Sequence, residues 1–158
     1  IAAVAAVFTV SLHELGVSHY DAAQRNAWAA RFADVNAWSA RLSGLRTLLA
    51  IEKSAIVGFI SYEPNGHIEF LYTAPGFERQ GVAYALHREV EKELPGVMLF
   101  TEAGLAAKPF FMQHGFTVVE EKEVLPDGVI LRRYAMRKAV AANTVATADR
   151  GALGDAPA

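Results

Sequence analysis

Residues 67–94 constrain this chain more than any other stretch, because a strand pattern there passes through a short turn directly into a helix pattern. His67-Ile-Glu-Phe-Leu-Tyr-Thr73 is rich in aromatic and β-branched side chains, which suit a pleated, half-buried surface. Pro75 and Gly76 end it, since proline cannot donate to a ladder and glycine permits a tight turn. From Val82 the period changes. Val82, Leu86 and Val90 fall one turn apart on one face, while Arg88, Glu89 and Lys92 point elsewhere. The helix therefore opens at Gln80-Gly81-Val82-Ala83. The first amides of a helix lack partners inside it, and the dipole is positive there. Such an end suits a phosphate or pyrophosphate, and Gly81 and Ala83 would let a ligand approach the backbone. Taken alone, a glycine at a helix start is more often an ordinary turn residue.

Composition removes several classes. The chain has 158 residues, 53% of them hydrophobic, which fits one domain with a real core and rules out disorder throughout. Net charge is −2 with no basic run, which argues against nucleic acid as a partner. With no cysteine there is no disulfide, no thiolate nucleophile and no cysteine-ligated zinc, and no metal site is expected. No apolar run is long enough to span a bilayer, so no membrane partner is expected. Ile1 to Phe8 is apolar but short and lacks a basic flank, so it reads as a core helix rather than a signal segment, with cytoplasm as the default location.

Taken in order, Ile1 to Leu15 reads as a helix with Val4, Val7, Phe8, Leu12 and Leu15 on one face, stopped by Gly16. Asp21 and Gln24 have capping-box spacing and open a helix through Trp28. A further turn or two is expected near Val35 to Ser43. Thr47 to Glu52 and Ala55 to Glu63 read as strands joined by a tight hairpin at Lys53-Ser54. Pro64-Asn65-Gly66 then turns the chain into the central strand, giving an antiparallel meander. After the central helix, Pro95-Gly96 leads to a strand from Val97 to Thr101, which implies a right-handed parallel crossover. Gly104 to His114 reads as a short helix whose regular part starts near Ala106, because of Pro109. Thr117 to Leu125 and Val129 to Met136 form a last hairpin. One domain is expected over 1–138, with a flexible tail over 139–158.

The loop Pro75-x-x-x-x-x-Gly81-x-Ala83 resembles the acetyl-CoA-binding core of the GNAT superfamily of N-acetyltransferases. A second block, Leu99-Phe-Thr-Glu-Ala103, Ala106 and Phe110-Phe-Met-Gln-His-Gly-Phe116, is similar to the strand and helix that follow it in that family. The resemblance runs from Thr47 to Met136. It is nearest to small bacterial members with a Tyr-Asp-x-x-Gln…Trp segment, here Tyr20 to Trp28. It implies an α/β fold of three layers, with a splayed, mostly antiparallel sheet flanked by helices. Family members usually carry a strand before the first helix; here the sequence opens on the helix at Ile1, so either the sequence is trimmed or that edge strand is absent.

The resemblance also implies a chemistry: transfer of an acetyl group from acetyl-CoA to a primary amine of a small molecule or peptide. Gln80, Gly81, Val82 and Ala83 would hold the pyrophosphate with Arg79 adding charge, and Tyr84, Phe110 and Phe111 would lie along the cofactor. Leu71, Tyr72 and Thr73 would pair through their backbone with the pantetheine arm. Attack needs a neutral amine, and an amine of pKa about 10.4 is mostly protonated at pH 7. Glu69 is the candidate general base, and a solvent-facing strand carboxylate is the alternative. His67 is a second candidate on the same face, and His114 reads as a dipole-stabilised surface histidine. Tyr20 and Trp28, with Trp38, would border the acceptor, or else serve as core aromatics. Two positions depart from the family. Glu78 stands where Gln or Arg is usual and is expected to turn away, and Phe111 replaces a common proton-donating tyrosine. Without cysteine, direct attack in a ternary complex is expected, the alternative being a non-catalytic acyl-CoA-binding or sensing domain. A homodimer is left open.

Overall fold

The computed structural model describes residues 1–10, 21–30, 34–124 and 128–140. The expected extension of the first helix to Leu15 and the expected tail beyond residue 140 lie outside them. So does the Pro126-Asp127 part of the last turn.

Helices α1 (Ala2–Val10), α2 (Ala22–Ala30) and α3 (Val35–Leu42) precede the sheet. The capping box forms: the Asp21 amide donates to Gln24 Oε1 at 3.0 Å and the Gln24 amide to Asp21 Oδ1 at 2.7 Å. Asp34 caps α3 by accepting from the Asn36 amide.

Strands β1 (Arg46–Glu52), β2 (Ala55–Tyr62) and β3 (His67–Thr73) form the expected meander. Lys53 and Ser54 both take positive φ, 48° and 68°, as a two-residue hairpin of the twist-matched kind requires. Helix α4 (Val82–Glu93) crosses over to β4 (Leu99–Gly104), which lies parallel to β3. The strand begins two residues later than expected, because the Val97 amide is still bonded to Leu94 O in the turn. Helix α5 (Lys108–Gln113) also starts late, with Pro109 in its first turn, where its missing N–H costs nothing. Strands β5 (Phe116–Val124) and β6 (Leu131–Lys138) close an open six-stranded sheet of order β1-β2-β3-β4-β6-β5.

Each sheet face buries its own cluster. On one, α4 and α5 cover Ile60, Tyr62, Ile68, Leu99, Tyr134 and Met136. On the other, α1 and α3 bring Phe8 and Trp38 onto Phe59 and Phe70. Trp38 is fully buried, its ring 5.0 Å from Phe8 and 5.2 Å from Phe70. It is a core aromatic, the second of the two readings its sequence left open.

The feature that opens the fold is a bulge in β3. Ser61 pairs with Phe70 and Tyr62 with Ile68, so Glu69 is the extra residue. The bulge breaks the alternation of faces. Ile68 joins the α4 cluster, and Phe70 joins the α1–α3 cluster. The β3–β4 ladder stops at the same place. It consists of His67 with Phe100 and Ile68 with Thr101, and beyond it the two strands diverge.

Candidate active site

Two regions lie along β3, one at each end. The first is the start of α4. Gly81 is its N-cap, in the left-handed region at φ 83°, with no side-chain cap bond. Positive φ also occurs at Gly76 and Arg79 in the loop that leads to it. The loop is tied internally by Gln80 Nε2 donating to Gly76 O at 2.9 Å. Glu78, Arg79 and Gln80 are exposed. A β-carbon on Gly81 would meet nothing within 4 Å, so the space before the helix is open. The first turn of α4 thus has the shape, charge and access of an anion site.

Gly58 fixes where that turn sits. It pairs with Thr73 at the end of β3. A β-carbon on it would come to 2.7 Å from Val82 Cγ1 and 3.0 Å from Tyr72 O. The helix start therefore lies directly against the strand segment Leu71–Thr73. These residues pair with Ile60, Phe59 and Gly58 of β2.

The second region is a polar cavity of about 210 Å³, lined by Arg41, His67, Ile68, Glu69, Glu102 and Arg133. Glu69 and Glu102 follow the last paired residues of β3 and β4, so both carboxylates stand where the strands part. Arg41 from α3 forms a salt bridge with Glu69. His67 Nδ1 lies 3.5 Å from the other Glu69 oxygen, and its ring stacks on Phe100 at 5.0 Å. Arg133 from β6 approaches Glu102 at 3.7 Å, an electrostatic contact longer than a hydrogen bond. Thr101 Oγ1 donates to Ile68 O at 2.8 Å and pins the two strands just below the cavity.

The other sequence-derived residues divide. Tyr84 is 46% exposed beside the α4 start, its ring 5.0 Å from His114. Phe110 is half-buried and 4.5 Å from the same ring. His114 is thus half-buried at the C-cap of α5, with both rings beside its own. Phe111 is buried against Phe110 and Phe116 within the core. Tyr20, and the side chain of Trp28, lie outside the described residues.

Sequence reading missed His87. It is fully buried on α4, with Nε2 3.0 Å from Glu91 and 3.5 Å from Lys138 Nζ. Burial pushes its pKa down to about 4, against a smaller opposing pull from Glu91. The available signal was its place next to Leu86 on the apolar face, one turn before a carboxylate. Arg41 and Arg133 were missed as well, since nothing local ties them to β3 or β4.

A family model described as an acetyltransferase (GNAT) domain matches residues 16–138. The chain is similar to the uncharacterized N-acetyltransferase YafP of Escherichia coli strain K12. The two are 32% identical over 132 residues, covering 84% of this chain and 85% of that protein. It is also similar to the crystal structure of a GCN5-related N-acetyltransferase, "aminotransferase, class-II", from Rhodopseudomonas palustris. That match has TM-score 0.83 and 31% identity, covering 88% of this chain and 89% of the other. A GNAT family acetyltransferase from Elizabethkingia anophelis with acetyl-CoA bound shares the fold at TM-score 0.53 and 15% identity, covering 69% and 85%.

Proposed function

The chain belongs to the GNAT acetyltransferase family, and on that footing we propose that it acetylates a primary amine of a small molecule or peptide by direct attack in a ternary complex with acetyl-CoA. Acetyl-CoA supplies the acetyl group; the amine nitrogen bonds to the acetyl carbon, the carbon–sulfur bond breaks, and the sulfur leaves with the electron pair and takes a proton. The remaining work belongs to the chain. The amides of Val82, Ala83 and Tyr84, with Gly81 and Gln80, hold the pyrophosphate, and Arg79 adds positive charge. Leu71, Tyr72 and Thr73 offer backbone groups to the pantetheine arm where β4 has turned away. Tyr84 and Phe110 supply apolar surface beside it. Phe111 acts from behind as packing and donates no proton.

Glu69 accepts a proton from the ammonium of the acceptor, which sits in the polar cavity. His67 and Arg41 orient the Glu69 carboxylate by contacts to its two oxygens. Alignment at this point can contribute on the order of 7–11 kcal/mol.

The observation that carries the reading is that the β3–β4 ladder ends and the Glu69 carboxylate stands at one bulge, while an uncapped helix start lies against the far end of the same strand. The test is release of free coenzyme A from acetyl-CoA across amines, polyamines, amino acids and peptides. Acceptor-dependent release supports transfer. Binding of acetyl-CoA without release to any acceptor would favour the sensing alternative.

A further inference from the structure

Resting on the acetyl-transfer reading, we propose that the acceptor carries a carboxylate a few bonds from its amine, so that the cavity takes amino-acid-like zwitterions in preference to plain amines or polyamines. The wall contains two guanidiniums, from Arg41 and Arg133, and two carboxylates, from Glu69 and Glu102. The charges of these four groups cancel. A polycation entering this space adds uncompensated positive charge beside two arginines. A zwitterion leaves the balance unchanged.

The signs are also ordered in space. Both carboxylates stand at the seam between β3 and β4, at the first positions beyond its last pair. The guanidiniums come from outside it, from α3 and from β6. An amine directed to the seam therefore leaves a neighbouring carboxylate facing an arginine. The planar guanidinium fork matches a carboxylate with two parallel hydrogen bonds. Arg133 is the better placed, because its side chain is 23% exposed against 50% for Arg41. A charge-assisted contact gains strength as water is removed. Size agrees: about 210 Å³ is below the roughly 300–1,000 Å³ of sites for drug-sized ligands.

The test compares matched acceptors: lysine, lysinamide and cadaverine, and leucine, leucinamide and isoamylamine. Binding is read by calorimetry on the full chain saturated with coenzyme A, and transfer by thiol release from acetyl-CoA. The free amino acids should bind at least about tenfold more tightly than their amides, and Arg133→Gln should erase most of that preference. Arg133→Lys keeps the charge and loses the fork, so it should retain part of it, separating recognition from a folding defect. A preference for amino acids without thiol release would support the zwitterion site and overturn acetyl transfer. Thiol release with equal or better use of amides or polyamines would overturn the zwitterion site and leave acetyl transfer standing.

Discussion

Val82, in the first turn of α4, closes over Gly58 of β2 so tightly that a β-carbon on the glycine would come within 2.7 Å of Val82 Cγ1. Tyr72 O, a backbone atom, would lie at 3.0 Å on the other side. Gly58→Ala should therefore destabilise the protein by about 1–3 kcal/mol, as overpacking does. It should also tilt the helix start away from β3. Denaturant unfolding would give the first effect and weaker thermal stabilisation by coenzyme A the second. Unchanged ligand stabilisation would mean that this contact does not set the site.

Gly81 separates strain from charge. It sits at φ 83° with open space around its missing side chain. Gly81→Ala adds backbone strain of about 1–2 kcal/mol but no obstruction, and should keep most of the rise in melting temperature produced by acetyl-CoA. Gly81→Glu adds bulk and a negative charge at the proposed phosphate position, and should abolish that rise. A full rise in the glutamate variant would locate the cofactor elsewhere.

Glu69→Gln keeps shape and removes the base. Transfer at neutral pH should fall by about a hundredfold or more. The loss should shrink as pH approaches the acceptor's own pKa, where the amine is neutral without help. Single-turnover rates across pH would check this, and an equal loss at every pH would point to positioning instead.

Phe111 is packed against Phe110 and Phe116 at 2% exposure. Phe111→Tyr places a hydroxyl in that core, at a cost of about 1–3 kcal/mol if it finds no partner. The rate should not rise, because a thiolate is already a good leaving group. A clear acceleration in single-turnover kinetics would show that thiol departure limits the reaction.

His87 gives the protein an acid sensitivity of definite sign. The folded state lowers its pKa from 6.5 to about 4. Burial is the main cause, Glu91 on the same helix opposes it, and Lys138 of β6, His114 beyond α5 and Arg88 reinforce it. Below pH 6.5 the unfolded chain takes a proton that the folded chain refuses. This contribution to stability, roughly 3 kcal/mol at most, is complete above pH 6.5 and is lost as pH falls towards 4. In His87→Phe the pH dependence of unfolding over that window should flatten. An unaltered slope would assign it to other groups.

Much of the fold was legible because local rules and tertiary packing agree. Lys53-Ser54, Asp21 with Gln24, and the Val82–Leu86–Val90 stripe each form what their spacing implies. The bulge at Glu69 was not legible, since strict alternation puts His67, Glu69 and Leu71 on one face, whereas Leu71 packs with Ile68 on the α4 side. Nor were the partners of Glu69 fully readable. His67 was visible two residues away, but Arg41 arrives from a separate helix. The sequence left the role of Trp38 open between core and pocket for a related reason. Trp38 has the composition of a binding residue, and only the meeting of α1, α3 and the sheet makes it core.

The sheet's two halves are joined by little ladder. Among the described residues, His67 with Phe100 and Ile68 with Thr101 are the only pairs between β1-β2-β3 and β4-β6-β5. A seam that short is a natural fault line for partial opening, because few backbone hydrogen bonds must break along it. Amide hydrogens of strands β1–β3 and of strands β4–β6 would then exchange as two cooperative units. A ligand gripping both sides of the seam would make the two exchange as one.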